Sequence, residues 1–226
     1  MTGIELVWHN EAMPSLDRRQ FISRIAAVSS VGAIALTAPR TVFAQASSAS
    51  PRDRKVLEVA RREVERAGDA LWRRDIAGIA DFGVHSANRR FHFANLENGT
   101  VRSFLVSHGT GSDPEHDGWL NTYSNVEGSN QTSRGAYVSW EWYKGKFGTS
   151  IRLGGLEPSN SNAFPRAIVM HPADYATQAH VERWGRLGRS NGCFAMGPDD
   201  FREALWNLSG GRLLYADSLN LEADPK

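Results

Sequence analysis

The sequence predicts a mainly β domain with a few helices, and three observations lead there. Short apolar runs rich in β-branched and aromatic residues recur between residues 76 and 216, a composition that suits a pleated, half-buried surface. An Asn98-Gly99 pair stands between two of them, and Asn-Gly supplies the positive φ that a tight hairpin turn needs. Helical spacing of apolar residues is confined to a few short segments.

Taken in order, residues 1–46 read as an export leader. Asp17-Arg18-Arg19-Gln20-Phe21-Ile22 sets a twin arginine before an apolar pair, residues 25–39 are uncharged, and Ala44-Gln45-Ala46 supplies the small residues of a cleavage site. The uncharged stretch is short and rich in Ala, Ser and Gly, too weak for a membrane anchor. A leader of twin-arginine type implies a periplasmic protein exported already folded. Residues 47–75 are expected to form a linker and an amphipathic helix over 53–74, with Val56, Ala60, Val64, Ala67 and Leu71 on one face.

Strands are expected over 76–82, 90–96, 100–106, 136–143, 151–153, 167–171 and 212–216, the last closing the sheet. Glu97-Asn98-Gly99 turns the first hairpin, and Lys144-Gly145-Lys146 a second. One helix lies within 173–184. Another runs from Pro198 to about residue 208, where Pro198-Asp199-Asp200 provides the proline and acidic residues favoured in a first turn. Residues 108–134 are rich in Gly, Ser, Asn and Asp, a long loop of the kind that serves as a lid or binding element. The domain thus covers 76–217, followed by a tail at 218–226.

Composition narrows the function. A hydrophobic fraction of 41% and seven Trp residues among 226 favour one packed core. The leader holds four basic and three acidic residues, so 22 of each sign remain without it. With no Lys/Arg run, a nucleic-acid partner is not expected. Cys193 is the single cysteine, and an exported lone thiol is buried and inert, paired with another molecule, or reactive.

Its neighbourhood, Gly188-Arg189-Ser190-Asn191-Gly192-Cys193-Phe194-Ala195, favours reactivity. A thiol nucleophile needs a base, oxyanion donors and room for substrate. Gly192 allows close backbone approach, and the Arg189 charge would help draw the thiol below its usual range. His171 ends the apolar run 167–170 and is followed by Pro172, a layout that suits a base at a strand end. His108, beside Gly109, is a pocket residue or a structural hydrogen bonder. Ser124 and Asn125 shape a loop or bind substrate. Arg134 and Arg152 are candidates for a substrate carboxylate. Trp140, Trp142 and Tyr143 are expected to pack in the sheet in preference to forming a sugar platform. His116-Asp117 lacks further ligands at metal spacing, so no metal and no cofactor are expected.

These segments resemble the L,D-transpeptidase family, in the branch whose motif runs G-R-S-x-G-C-x-A. The resemblance includes Val106-Ser107-His108-Gly109, Tyr123-Ser124-Asn125, Ser133-Arg134-Gly135-Ala136-Tyr137, Leu153-Gly154-Gly155-Leu156-Glu157, His171-Pro172-Ala173-Asp174-Tyr175 and Gly185-Arg186-Leu187-Gly188-Arg189-Ser190. It implies a β-sandwich or barrel in which Cys193 attacks, His171 takes its proton, and backbone N–H groups around Gly192 and Cys193 hold the oxyanion. Ser190 would shape the loop, with Asn191, Arg189, His108, Ser124 and Asn125 toward the substrate. The implied partners are peptidoglycan stem peptides and carbapenem-type inhibitors, and the protein is expected to be a monomer. The implied donor is a tetrapeptide stem that loses its terminal D-alanine. An amine then resolves the thioester as a 3→3 cross-link, or water does so in a carboxypeptidase or hydrolase; a peptidoglycan-binding module without catalysis is the third reading. Asn191, Pro172 and Phe194 depart from residues common in the family.

Overall fold

A computed structural model describes residues 49–146 and 148–221. The expected leader at 1–46 and the last five residues of the expected tail lie outside them. Helix α1 (Pro51–Ala67) starts where Ser50 Oγ accepts the Asp53 N–H at 3.0 Å, with Pro51 in its first turn. It stops at Gly68, whose φ of 51° breaks the helical path, and a single tight turn follows. The helix is therefore shorter than its apolar spacing implies, because Leu71 is buried from the turn beyond it.

Strands β1 (Ile76–Asp81), β2 (Phe91–Asn95), β3 (Thr100–Phe104), β4 (Gly135–Gly145), β5 (Gly148–Gly155), β6 (Val169–Pro172), β7 (Phe194–Met196) and β8 (Arg212–Asp217) form one curled sheet. Their order is β3-β2-β1-β8-β4-β5-β6-β7. The pairs β1–β8 and β6–β7 are parallel, and the others antiparallel. The mainly β expectation holds, with two corrections. Strand β8 is central and does not close the sheet, and the short strand β7 had no sequence signal of its own. Closure comes instead from the chain beyond β3, where the Ser107 N–H donates to the Ala195 carbonyl at 2.8 Å. The segment that carries Cys193 is thereby pinned from both sides.

Alternation along the central strands serves two cores. Ala77 and Ile79 of β1 and Leu213 and Tyr215 of β8 face Val56, Ala60 and Val64 of α1. The helix thus belongs to the domain's own packing, each buried Val or Leu contributing about 1.5–3 kcal/mol. Ala80, Leu214 and Ala216 point the other way, toward Phe91, Tyr137, Met170 and Phe194. Helix α3 (Pro198–Asn207) covers that second core with Phe201 and Ala204, and α2 (Gln178–Trp184) lies between β6 and β7 in the chain. Asp81, buried, accepts N–H groups of Leu219, Asn220 and Leu221, so the start of the expected tail is tied to β1.

Tryptophan builds none of this. All six described Trp residues are exposed, including Trp140 (39%) and Trp142 (61%). Burial along β4 ends at Ser139, where its register with β5 shifts, and both residues fall on the exposed stretch that follows. The sheet-packing expectation for this pair is corrected accordingly.

Candidate active site

The parallel pairing of β6 with β7 is what assembles the site. His171 lies opposite Ala195 in that register, so their side chains share a face of the sheet. Cys193 stands two residues before Ala195, and a two-residue step along extended chain returns to the same face. His171 and Cys193 accordingly line one cleft of about 360 Å³ with Ser190, Asn191 and Arg189. Arg166, Ala167 and Tyr175 complete its wall.

The turn before Cys193 is held by Ser190. Its Oγ donates to the Cys193 carbonyl at 2.7 Å and accepts the Gly192 N–H at 3.1 Å. Outside the turn, the Ser190 N–H donates to the His108 carbonyl, and the Ser190 carbonyl accepts the Thr110 N–H. Gly192 has φ +110°, and a Cβ there would stand 2.7 Å from the Gln131 carbonyl oxygen and 3.0 Å from Ile168. Glycine is required on both counts. The Gly192 N–H is engaged by Ser190 in this arrangement, which corrects its expected place among the oxyanion donors.

Burial favours the neutral form of both His171 and Cys193. The His171 Nδ1 lies 2.9 Å from the Pro172 carbonyl. A carbonyl only accepts, so Nδ1 carries the proton and Nε2 is the acceptor nitrogen of the ring. Burial lowers the pKa of this imidazole, partly offset by the Pro172 bond. Burial also pushes the Cys193 thiol up, against the Val169 backbone and the Arg166 charge, which pull it down. The thiol reaches toward the Ala167 carbonyl at 3.7 Å. Ala167 has φ 53°, a left-handed conformation unfavourable for alanine, and it aims that carbonyl into the cleft. A neutral thiol beside a neutral base fits these shifts better than a preformed ion pair.

Three expected substrate residues lie elsewhere. His108 is buried between Arg90 and Asp113. Arg90 Nη2 donates to His108 Nδ1 at 2.7 Å, and His108 Nε2 donates to Asp113 Oδ2 at 3.2 Å. Burial and the cations Arg90 and Arg189 lower its pKa to about 2, so it is a structural node. Ser124 Oγ accepts the Val126 N–H, and Asn125 spends its amide on Pro158, Ser161 and Asn162. Ser124 thus shapes the long loop from within, and Asn125 ties it to residues 158–162. Arg134 pairs with Asp217 and Arg152 with Glu141, and neither lines the cleft. Arg189 does line it, but the charge that acts on the thiol is that of Arg166. Sequence reasoning missed Arg166, Ala167 and Tyr175. The one signal was the position of Tyr175 four residues after His171, while Arg166 is held by carbonyls of a remote loop.

Comparison with known proteins adds a family. Residues 49–216 match the model of the L,D-transpeptidase catalytic domain. Among solved structures, an L,D-transpeptidase from Mycobacterium smegmatis is 15% identical, with 63% of this chain and 58% of that one covered and a TM-score of 0.38. L,D-transpeptidase 3 from Mycobacterium tuberculosis, in complex with a faropenem-derived adduct, is 12% identical over 63% and 60%, with a TM-score of 0.41. The helical cell shape determining protein Pgp2 from Campylobacter jejuni is 12% identical over 74% and 57%, with a TM-score of 0.41. The chain spans less than two thirds of the length of these proteins, and the family assignment rests on the domain match alone. No curated protein matches.

Proposed function

Because this chain belongs to the L,D-transpeptidase catalytic domain family, we propose that it is a cysteine acyltransferase of the peptidoglycan stem. Cys193 is the nucleophile and His171 the base in this reading. The observation that carries it is the β6–β7 register, which sets His171 and Cys193 on one face and in one cleft.

The proposed steps are these. His171 Nε2 takes the thiol proton as sulfur attacks the carbonyl before the terminal D-alanine. With the Gly192 N–H committed to Ser190, the Cys193 N–H is the donor assigned to the developing oxyanion. The carbon–nitrogen bond then breaks, the imidazolium returns its proton to the leaving nitrogen, and D-alanine departs from a thioester. An amine of a second stem attacks the thioester and loses a proton to His171. The carbon–sulfur bond breaks, the thiol is restored, and a 3→3 cross-link results. The twin-arginine leader supports a periplasmic setting for this reaction.

Intact mass after incubation with a carbapenem, and separately with a tetrapeptide muropeptide, tests this. The expected result is a covalent adduct and release of D-alanine, both lost in Cys193→Ala. Cross-linked products identify a transpeptidase; tripeptide alone identifies a carboxypeptidase. A folded protein with a free thiol but neither adduct nor D-alanine would leave only a binding module.

A further inference from the structure

The cleft around Cys193 carries two guanidinium groups, Arg166 and Arg189, and no Asp or Glu. Among the described residues neither contacts a carboxylate, whereas Arg66, Arg102, Arg134, Arg152 and Arg212 all do. A pair of half-buried cations without counter-charge is costly unless something anionic arrives.

The two differ in what they still offer. Arg166 gives both terminal nitrogens to the long loop, reaching the carbonyls of Ser124 at 2.7 Å and Gln131 at 2.5 Å and the hydroxyls of Ser133 and Ser129. It supplies charge beside the Cys193 turn but little hydrogen bonding. Arg189 is anchored through Nη1 alone, to the carbonyls of Asp113 and Pro114. Its Nε–H and Nη2–H₂ edge has no partner among the described residues. That edge is the side-on fork that meets both oxygens of a carboxylate, and Nη1 holds it in place beforehand.

We propose that Arg189 is the carboxylate-binding fork of this cleft, with Arg166 adding to the positive potential, and that the enzyme reads a free carboxylate flanking the scissile bond. This rests on the acyltransferase reading above. The carboxylate is either that of the leaving residue, three bonds from the attacked carbonyl carbon, or the side-chain carboxylate of a diamino diacid at the acyl position. Arg134 and Arg152, the arginines that the sequence marked for such a task, are already neutralised by Asp217 and Glu141.

The test uses three synthetic tetrapeptides: one with both carboxylates free, one amidated at the C-terminus and one amidated on the diamino-acid side chain. D-alanine or D-alaninamide release gives kcat/KM in the unaltered protein, Arg189→Gln and Arg189→Lys. Calorimetric titration of Cys193→Ala, with and without Arg189→Gln, gives binding independent of turnover. One amide is expected to be handled roughly 10- to 100-fold less well than the acid, and which one identifies the carboxylate. Arg189→Gln should bring the acid-to-amide ratio near one, and Arg189→Lys should restore part of it through charge without the fork. A loss of folding would lower acid and amide together and leave that ratio unchanged. Equal handling of all three peptides, or an acid-to-amide ratio in binding and turnover that survives in Arg189→Gln shown to be folded by its thermal transition, overturns the proposal. Discriminating binding without turnover would keep the fork and sink the acyltransferase reading. Neither binding nor turnover sinks both.

Discussion

Two histidines of this chain look alike in sequence and do opposite things in the fold. His108 and His171 each end an apolar run and each precede a residue that breaks a strand, Gly109 and Pro172. His171 ends on a cleft, with one ring nitrogen fixed by the neighbouring carbonyl and burial as the main influence on its pKa. His108 ends inside the protein, with one nitrogen on a fully buried arginine and the other on a buried aspartate. His171 lines the cleft, whereas His108 has both nitrogens engaged by buried charged groups. What separates them is the sheet register, which turns one toward β7 and the other under the long loop.

The largest effect that would break this contrast is on activity. His171→Gln keeps a polar side chain of similar size but has no basic nitrogen. D-alanine release should fall about 10²- to 10⁴-fold, with the melting temperature changed little. A stopped or continuous D-alanine assay beside a thermal scan decides it. Near-normal release from His171→Gln would remove His171 from the chemistry.

His108→Ala should do the reverse. It strands the Arg90 Nη2 in the interior and leaves Asp113 Oδ2 with the Gly118 N–H alone; a buried polar group without a partner costs about 1–3 kcal/mol, and the cavity left by the ring adds to that. A total near 3 kcal/mol corresponds to a fall in Tm of roughly 6–12 °C for a domain of this size. Some activity loss is expected as well, since the His108 carbonyl holds Ser190, but the destabilisation should dominate. An unchanged Tm would mean that the node contributes nothing.

The same contrast marks what was legible beforehand. Strands with local turns were legible: Asn98-Gly99 turns β2 into β3 with Gly99 at φ 69°, and Pro198-Asp199-Asp200 starts α3. The motif around Cys193 was legible too, because Gly192 is required by its own backbone. Whatever depends on distant partners was not. Strand β8 sits mid-sheet because it pairs with β1, far back in the chain, and three-residue β7 is held by β6 and by the chain beyond β3. Arg134 looked available and is paired with Asp217, while Arg166 looked ordinary and faces the thiol. Local pattern predicts elements; the neutralisation of a charge is a property of the folded whole.

The smallest effect concerns pH, and it sharpens the comparison most finely. Both histidines have folded pKa values below their unfolded value near 6.5. The unfolded chain therefore binds more protons below that pH, and stability falls as pH drops through about 6.5. Each histidine adds up to about 1.4 kcal/mol per pH unit until its folded pKa is reached. For His171 that window ends at its lowered folded pKa, which should also set the acid limb of acylation, below pH 6.5. For His108 the window runs on toward about pH 2, with no kinetic signature. Chemical unfolding from pH 7.5 to 5 should thus show a slope that His108→Ala lessens while the acid limb stays in place. His171→Gln should lessen it only down to the acid limb. An acid limb that moves with His108→Ala would show that the two histidines titrate as one system, and the division between node and base would fail.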